Sequence, residues 1–149
     1  MAKRFTDITI WDDDWFFELS PEYKLFWFYL KDNCDHAGIW KPKVRAFKSA
    51  TDVEIDLDKA LVFFNAGKQR VRRLSNGYWF LEDFFFFQYV KSARCMNLGN
   101  RVHESVFNLY VKMGILLSTV NGIDFVTDKN KETHAVGDFE RMAYDLTSI

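Results

Sequence analysis

The residues of this chain best placed to do chemistry are cations clustered beside a hairpin turn. The stretch 68–82 reads KQRVRRLSNGYWFLE. Lys68, Arg70, Arg72 and Arg73 lie before Asn76-Gly77, a dipeptide that tolerates the positive φ angles of a tight turn, and Tyr78, Trp79 and Phe80 follow it. Cations so closely spaced can neutralise phosphates, each contact steepening the salt dependence of nucleic-acid binding. Alternation along a strand sends Arg70 and Arg72 to one face and Val71 and Arg73 to the other, so the strand is not uniformly basic. The competing reading is an edge strand whose charges block aggregation, with one arginine paired to Glu82 or Asp83.

A second basic cluster is Lys41, Lys43, Arg45 and Lys48. Helical spacing puts Arg45 and Lys48 on one face, where they extend the hairpin's positive surface or form the solvated side of an amphipathic helix. Other chemistry is poorly supported. Cys34-Asp35-His36 invites a metal, but Cys95, His103 and His134 stand isolated and no CxxC or HxxxH spacing occurs. Asp35 instead suits a cap on a helix-to-strand turn. The GxSxG, GxxxxGK[ST] and GxGxxG patterns are missing, and Asp12-Asp13-Asp14 reads as helix-start charge because consecutive helical residues point apart. No enzyme activity, metal or cofactor is expected.

These side chains need a scaffold, and the pattern supplies one. Asp12 or Asp13 caps a short helix carrying Trp15, Phe16 and Leu19. Ser20-Pro21-Glu22 is a strong helix start, and the helix runs to about Asn33 with apolar residues on nearly every face. Such a helix lies in the middle of a domain or is shared with a partner. Gly38 ends the turn before a short Ile39-Trp40 strand, and Pro42 opens a helix to about Ala50. A third helix starts at Asp56, buries Leu57, Leu61 and Phe63 or Phe64, and ends near Gly67. Its polar residues, Asp56, Asp58, Lys59 and Asn65, make a poor set for reading base edges.

Further on, 84–87 is an apolar run that periodicity cannot classify and a candidate homodimer contact, and 91–100 reads as a loop. Residues 101–113 form an amphipathic helix with Val102, Val106, Leu109 and Tyr110 on one side, stopped by Gly114. A strand pair about Asn121-Gly122, a polar stretch from Thr127 to Thr133 and a short helix over 138–146 complete the expectation. The fold class is α+β: a mostly helical winged helix-turn-helix core with a β-hairpin wing, over 1–114, and a C-terminal helical extension over 115–149.

Bulk properties agree with one folded domain. The 149 residues are 48% hydrophobic, which excludes a wholly disordered chain, and two Pro and seven Gly are too few for a many-turned β-sandwich. The net charge of −1 averages segregated acidic and basic blocks, so it says nothing about DNA. No run reaches the ~18 apolar residues of a membrane span. No hydrophobic stretch of signal-peptide length lies behind the charged start MAKRFTD, and two cysteines make no disulfide framework, so a reducing cytoplasm is expected. The five tryptophans, Trp11, Trp15, Trp27, Trp40 and Trp79, are core residues on the simplest reading; any exposed one could stack on a single-stranded base.

Several stretches carry a resemblance. They are Ala2-Lys3-Arg4-Phe5-Thr6-Asp7 with Trp11 and Trp15-Phe16, Leu19-Ser20-Pro21-Glu22-Tyr23-Lys24-Leu25, and above all Asp32-Asn33-Cys34-Asp35-His36-Ala37-Gly38-Ile39-Trp40. Ile55-Asp56-Leu57, Asn76-Gly77-Tyr78-Trp79-Phe80, Phe87-Gln88-Tyr89 and Asn100-Arg101-Val102-His103-Glu104-Ser105-Val106 add to them. Together they resemble the N-terminal winged-helix domain of phage and prophage replisome organisers and DnaD-like primosomal proteins. The resemblance implies origin-DNA binding or helicase loading, often with self-association, in a bacterial host. Read with the apolar third helix, it favours largely non-specific DNA binding through Lys68, Arg70, Arg72, Arg73, Lys43, Arg45 and Lys48. The alternative is a protein–protein scaffold of a replication complex that does not touch DNA. Expected partners are accordingly DNA, a replicative helicase or its loader, or a second copy of the chain, and no membrane.

Overall fold

The structure is a computed structural model that describes residues 3–90, 95–115 and 125–135. It is a mixed α+β protein whose chain divides into two compact units, Met1–Glu82 and Asp83–Ile149. The strand pair about Asn121-Gly122 and the helix over 138–146 lie outside the described residues.

In the first unit a 3-10 turn, Ile8–Asp12, leads into α1 (Asp14–Phe17) and α2 (Pro21–Asn33). Asp7 starts the turn, its carboxylate accepting from Thr9 N–H at 3.0 Å. Asp13 occupies the N-cap of α1 and Ser20 that of α2, yet neither side chain makes a capping bond. Pro21 fixes the first helical φ and has no N–H to leave unpaired. Then follow β1 (Ile39–Trp40), α3 (Val44–Thr51), α4 (Leu57–Phe64), β2 (Val71–Arg73) and β3 (Trp79–Leu81). The three strands form an antiparallel sheet in the order β1-β3-β2. Asp35 forms the expected cap: one carboxylate oxygen accepts from Ala37 N–H and Ile39 N–H, both at 2.9 Å, and Gly38 at φ +85° turns the chain into β1.

The centre of this unit is aromatic. Phe26 of α2 is fully buried, with the rings of Tyr29, Trp40, Phe47, Phe64 and Trp79 at 5.0–6.3 Å from its own. Offset and edge-to-face pairs of this kind contribute about 0.5–1.5 kcal/mol each beyond the area they bury. In α4 it is Ala60 and Phe64 that face inward, while Phe63 is 41% and Val62 71% exposed.

The hairpin turn differs from the expected one. Gly77 alone has positive φ, +87°, and Asn76 works through its side chain, accepting from Tyr78 N–H at 2.9 Å. Leu74 N–H donates to Tyr78 O and Gly77 N–H to Leu74 O, so the loop is longer than a two-residue turn.

The second unit starts with α5 (Phe84–Tyr89), which classifies the apolar run as helix. β4 (Cys95–Asn97) lies within the stretch expected to be loop and pairs in parallel with β5 (Phe125–Thr127), which pairs antiparallel with β6 (Thr133–Ala135). Parallel pairing joins segments distant in sequence, and a three-residue strand leaves almost no alternation to read. Between β5 and β6, part of the polar stretch from Thr127 forms an ordered turn closed by Asp128. α6 (Arg101–Met113) has the expected bounds, capped by Asn100 and ended by Gly114 at φ +68°. Its buried stripe is His103, Val106, Phe107 and Tyr110, a face turned one residue from the expected one, with Val102 39% exposed. α6 belongs to this unit, whereas the sequence reading grouped 101–114 with the core before it.

Candidate functional site

The basic hairpin is where the sequence and the structure meet most directly, and its arginines are largely committed to the fold. Arg70 Nη1 donates to the carbonyl oxygens of Phe64 (3.2 Å), Ala66 (2.7 Å) and Lys68 (3.3 Å). These are carbonyls at and just past the C-terminal end of α4, where the helix leaves acceptors unpaired and carries partial negative charge. The other face of the guanidinium lies over the Trp15 ring, 4.1 Å from its centroid. Arg70 is therefore a helix cap and an aromatic clamp.

Arg72 points across the sheet. Its Nε lies 3.5 Å from Glu82 Oε1 and its guanidinium 5.6 Å from the Phe80 ring centroid. Glu82 is almost fully buried, and the Arg72 guanidinium beside it offsets part of the cost of burying a carboxylate there. This is the arginine–glutamate pairing that the alternation allowed. Arg73 reaches the other way and holds Asp58 Oδ1 at 2.9 Å, but both groups are well exposed and such a pair is worth about 0–1 kcal/mol. Lys68 is exposed.

In the second cluster, Lys43 is the N-cap residue of α3 and Arg45 lies in its first turn. Both are exposed, and among the described residues neither has an ion-pair partner. Lys48, one turn on, pairs with Glu54 on the surface. Lys41 lies over the Tyr78 ring at 5.6 Å, which brings the start of this cluster beside the hairpin. The seven candidate cations thus fall into two sets. Lys43, Arg45, Lys48, Lys68 and Arg73 are exposed, whereas Arg70 and Arg72 are half-buried and held by contacts within the unit.

Asn65 gained no role from the sequence beyond a weak offer to base edges. Its carboxamide oxygen accepts from Arg70 N–H (2.8 Å) and Val71 N–H (2.9 Å), and its amide donates to Val71 O at 2.9 Å. It fixes the start of β2 against the end of α4 and is not available for reading bases. A C-terminal Asn just after a helix was the available signal.

Several large apolar side chains of the first unit are exposed. Besides Val62 and Phe63 on α4, Trp11 is 58%, Phe17 71% and Leu25 44% exposed. Trp15 and Trp27, by contrast, pack edge to face with each other and on Phe64.

The thiols are unbridged, and burial pushes Cys34 up to about 12, so it is inert at neutral pH. In the second unit, His103 is buried between elements. Asn97 N–H donates to its Nδ1 at 3.0 Å, which leaves Nε2 to donate to Tyr89 O at 3.4 Å, and Phe85 stands edge-on at 5.1 Å. Burial lowers its pKa below the usual 6.5, against the opposing effect of the Tyr89 carbonyl. His134, isolated in the sequence reading, has Asp128 and Glu132 beside it, with one ligand atom from each residue within 4.8 Å of the others.

No helix among the described residues is long and apolar enough to cross a membrane. No protein-family model matches the chain, and no curated protein or solved structure matches it.

Proposed function

We propose that the first unit is a winged helix acting as an assembly surface in phage or mobile-element DNA replication, docking a second copy of the chain through α4. The order α2, β1, α3, α4, β2, β3 with strand order β1-β3-β2 supports a winged-helix reading, on which α4 would take the position of the recognition helix. The observation that carries the reading is what α4 offers there. Val62 and Phe63 face solvent, where a DNA reader would place Arg, Lys, Asn or Gln. Exposed aromatic and aliphatic side chains on a helix suit a protein partner. The replication setting rests on the resemblance of residues 1–106, above all Asp32–Trp40 as it stands in the sequence. On this reading the protein is cytoplasmic, not an enzyme, and uses no cofactor; a helicase or its loader would bind the assembled form.

A second reading, DNA contact, is favoured by one observation: Lys43 and Arg45 are exposed beside Lys41 at the start of α3. It would be electrostatic and non-specific. Arg70 and Arg72 are unsuitable for testing it, because their loss harms the fold.

Sedimentation velocity over a wide concentration range tests the first reading. Association should appear for the wild type and fall at least tenfold with Val62→Asp, a change at a position 71% exposed. A chain monomeric at every concentration would overturn docking between copies. Fluorescence anisotropy with duplex and single-stranded DNA at two salt concentrations tests the second. Salt-sensitive binding weakened by Lys43→Ala with Arg45→Ala would establish DNA contact, and no binding at low salt would exclude it.

A further inference from the structure

We propose that the β5–β6 hairpin binds one divalent transition-metal ion, of the zinc type, through Asp128, Glu132 and His134. The pairing of the strands builds the group. Continuing the register in which Val126 faces His134, Asp128 faces Glu132, and Asp128 N–H donates to Glu132 O at 2.8 Å. Side chains two apart on a strand and opposite across a pair share one face, so these residues converge there with Val126. Val126 is fully buried and gives the group an apolar floor.

The carboxylate of Asp128 is aimed by its own turn. One oxygen accepts from Asn130 N–H (2.9 Å) and Glu132 N–H (3.0 Å), leaving the other 2.9 Å from His134 Nε2. Of the two lysines in the turn, Lys129 is held on Glu104 at 2.7 Å and Lys131, beside Glu132, is exposed to solvent. Two carboxylates and a neutral imidazole match the charge of a divalent cation.

The donor set then selects the ion. An imidazole nitrogen with carboxylate oxygens suits zinc and its neighbours, whereas calcium and magnesium take oxygen ligands alone. Tetrahedral zinc with N and O ligands at about 2.0–2.1 Å needs ligand atoms about 3.3 Å apart. The His134–Asp128 contact at 2.9 Å would open by a few tenths of an ångström, and all three ligand atoms already lie within 4.8 Å of one another. Three protein ligands leave a fourth position to water, the arrangement of an open site.

This inference concerns the second unit and stands apart from the proposed docking role. Its test is isothermal titration of Zn2+ into the full chain, with Mg2+ and Ca2+ as controls and histidine NMR signals followed in parallel. One Zn2+ should bind per chain, the His134 imidazole signals should shift while those of His103 stay, and Mg2+ should give no heat. His134→Ala should weaken binding at least tenfold. Glu132→Gln, at an exposed position outside the strands, should weaken it severalfold with the fold kept. Absence of Zn2+ binding, or affinity unchanged in either variant, would overturn the site.

Discussion

The first unit is organised around Phe26, a ring enclosed by five other rings, and the second around His103, a side chain with two polar contacts and an aromatic wall. The two centres respond to different conditions. An aromatic core has no proton to gain or lose near neutrality. A buried imidazole that must stay neutral makes its surroundings sensitive to acid. The difference also has a convenient spectroscopic reporter. All five tryptophans fall in the first unit, so indole fluorescence reports on that unit, and amide exchange can follow the second.

The largest expected effect comes from emptying the first centre. Phe26→Ala should cost about 3–5 kcal/mol, because it removes the ring and leaves a cavity among side chains that cannot all collapse into it. Denaturant titration by tryptophan fluorescence checks this.

Next comes the clamp. Arg70→Met should cost about 1.5–3 kcal/mol, since three carbonyls lose a charged donor and Trp15 loses its cation. The same titration on Arg73→Ala should stay within about 0.5 kcal/mol of wild type, because that pair is exposed. Equal losses in the two variants would remove the distinction between internal and surface arginines.

The smallest effect is acid sensitivity in the second unit. His103 has a folded pKa below 6.5, so the unfolded chain takes up the proton first as pH falls. Its stabilising contribution is complete above pH 6.5, declines as pH drops from there towards the lowered folded value, and then levels off. Amide exchange in α6 should accelerate over that window, and His103→Gln, which keeps a donor and an acceptor without titrating, should flatten the dependence.

Local signals were the legible ones. Pro21 opening α2, Asp56 capping α4 through Asp58 N–H and Lys59 N–H, and Gly114 closing α6 act within a turn of their own position. Asp35 at the turn before β1 belongs with them. What escaped was set by partners far along the chain. β4 exists because it pairs with β5, and the guanidinium of Arg70 is held against the ring of the distant Trp15. The face of α6 was misjudged because Val102 is apolar and His103 is not, yet His103 finds both of its polar partners inside. A charge written in sequence does not say which way its side chain turns, so the contacts that Arg70 and Arg72 make within the unit were not legible either.

The stack of Arg70 on Trp15 also has a consequence for the order of events in folding. The bonds that cap α4 link residues close in sequence and can form as soon as that helix does. The contact with Trp15 must wait until the N-terminal segment has crossed the intervening helices, a closure that carries a loop-entropy cost. This separation predicts that the arginine shuts late, as a latch, so Arg70→Met should raise the unfolding rate more than it lowers the folding rate in stopped-flow measurements. A late contact mainly slows escape from the native state and contributes little to the rate of reaching it.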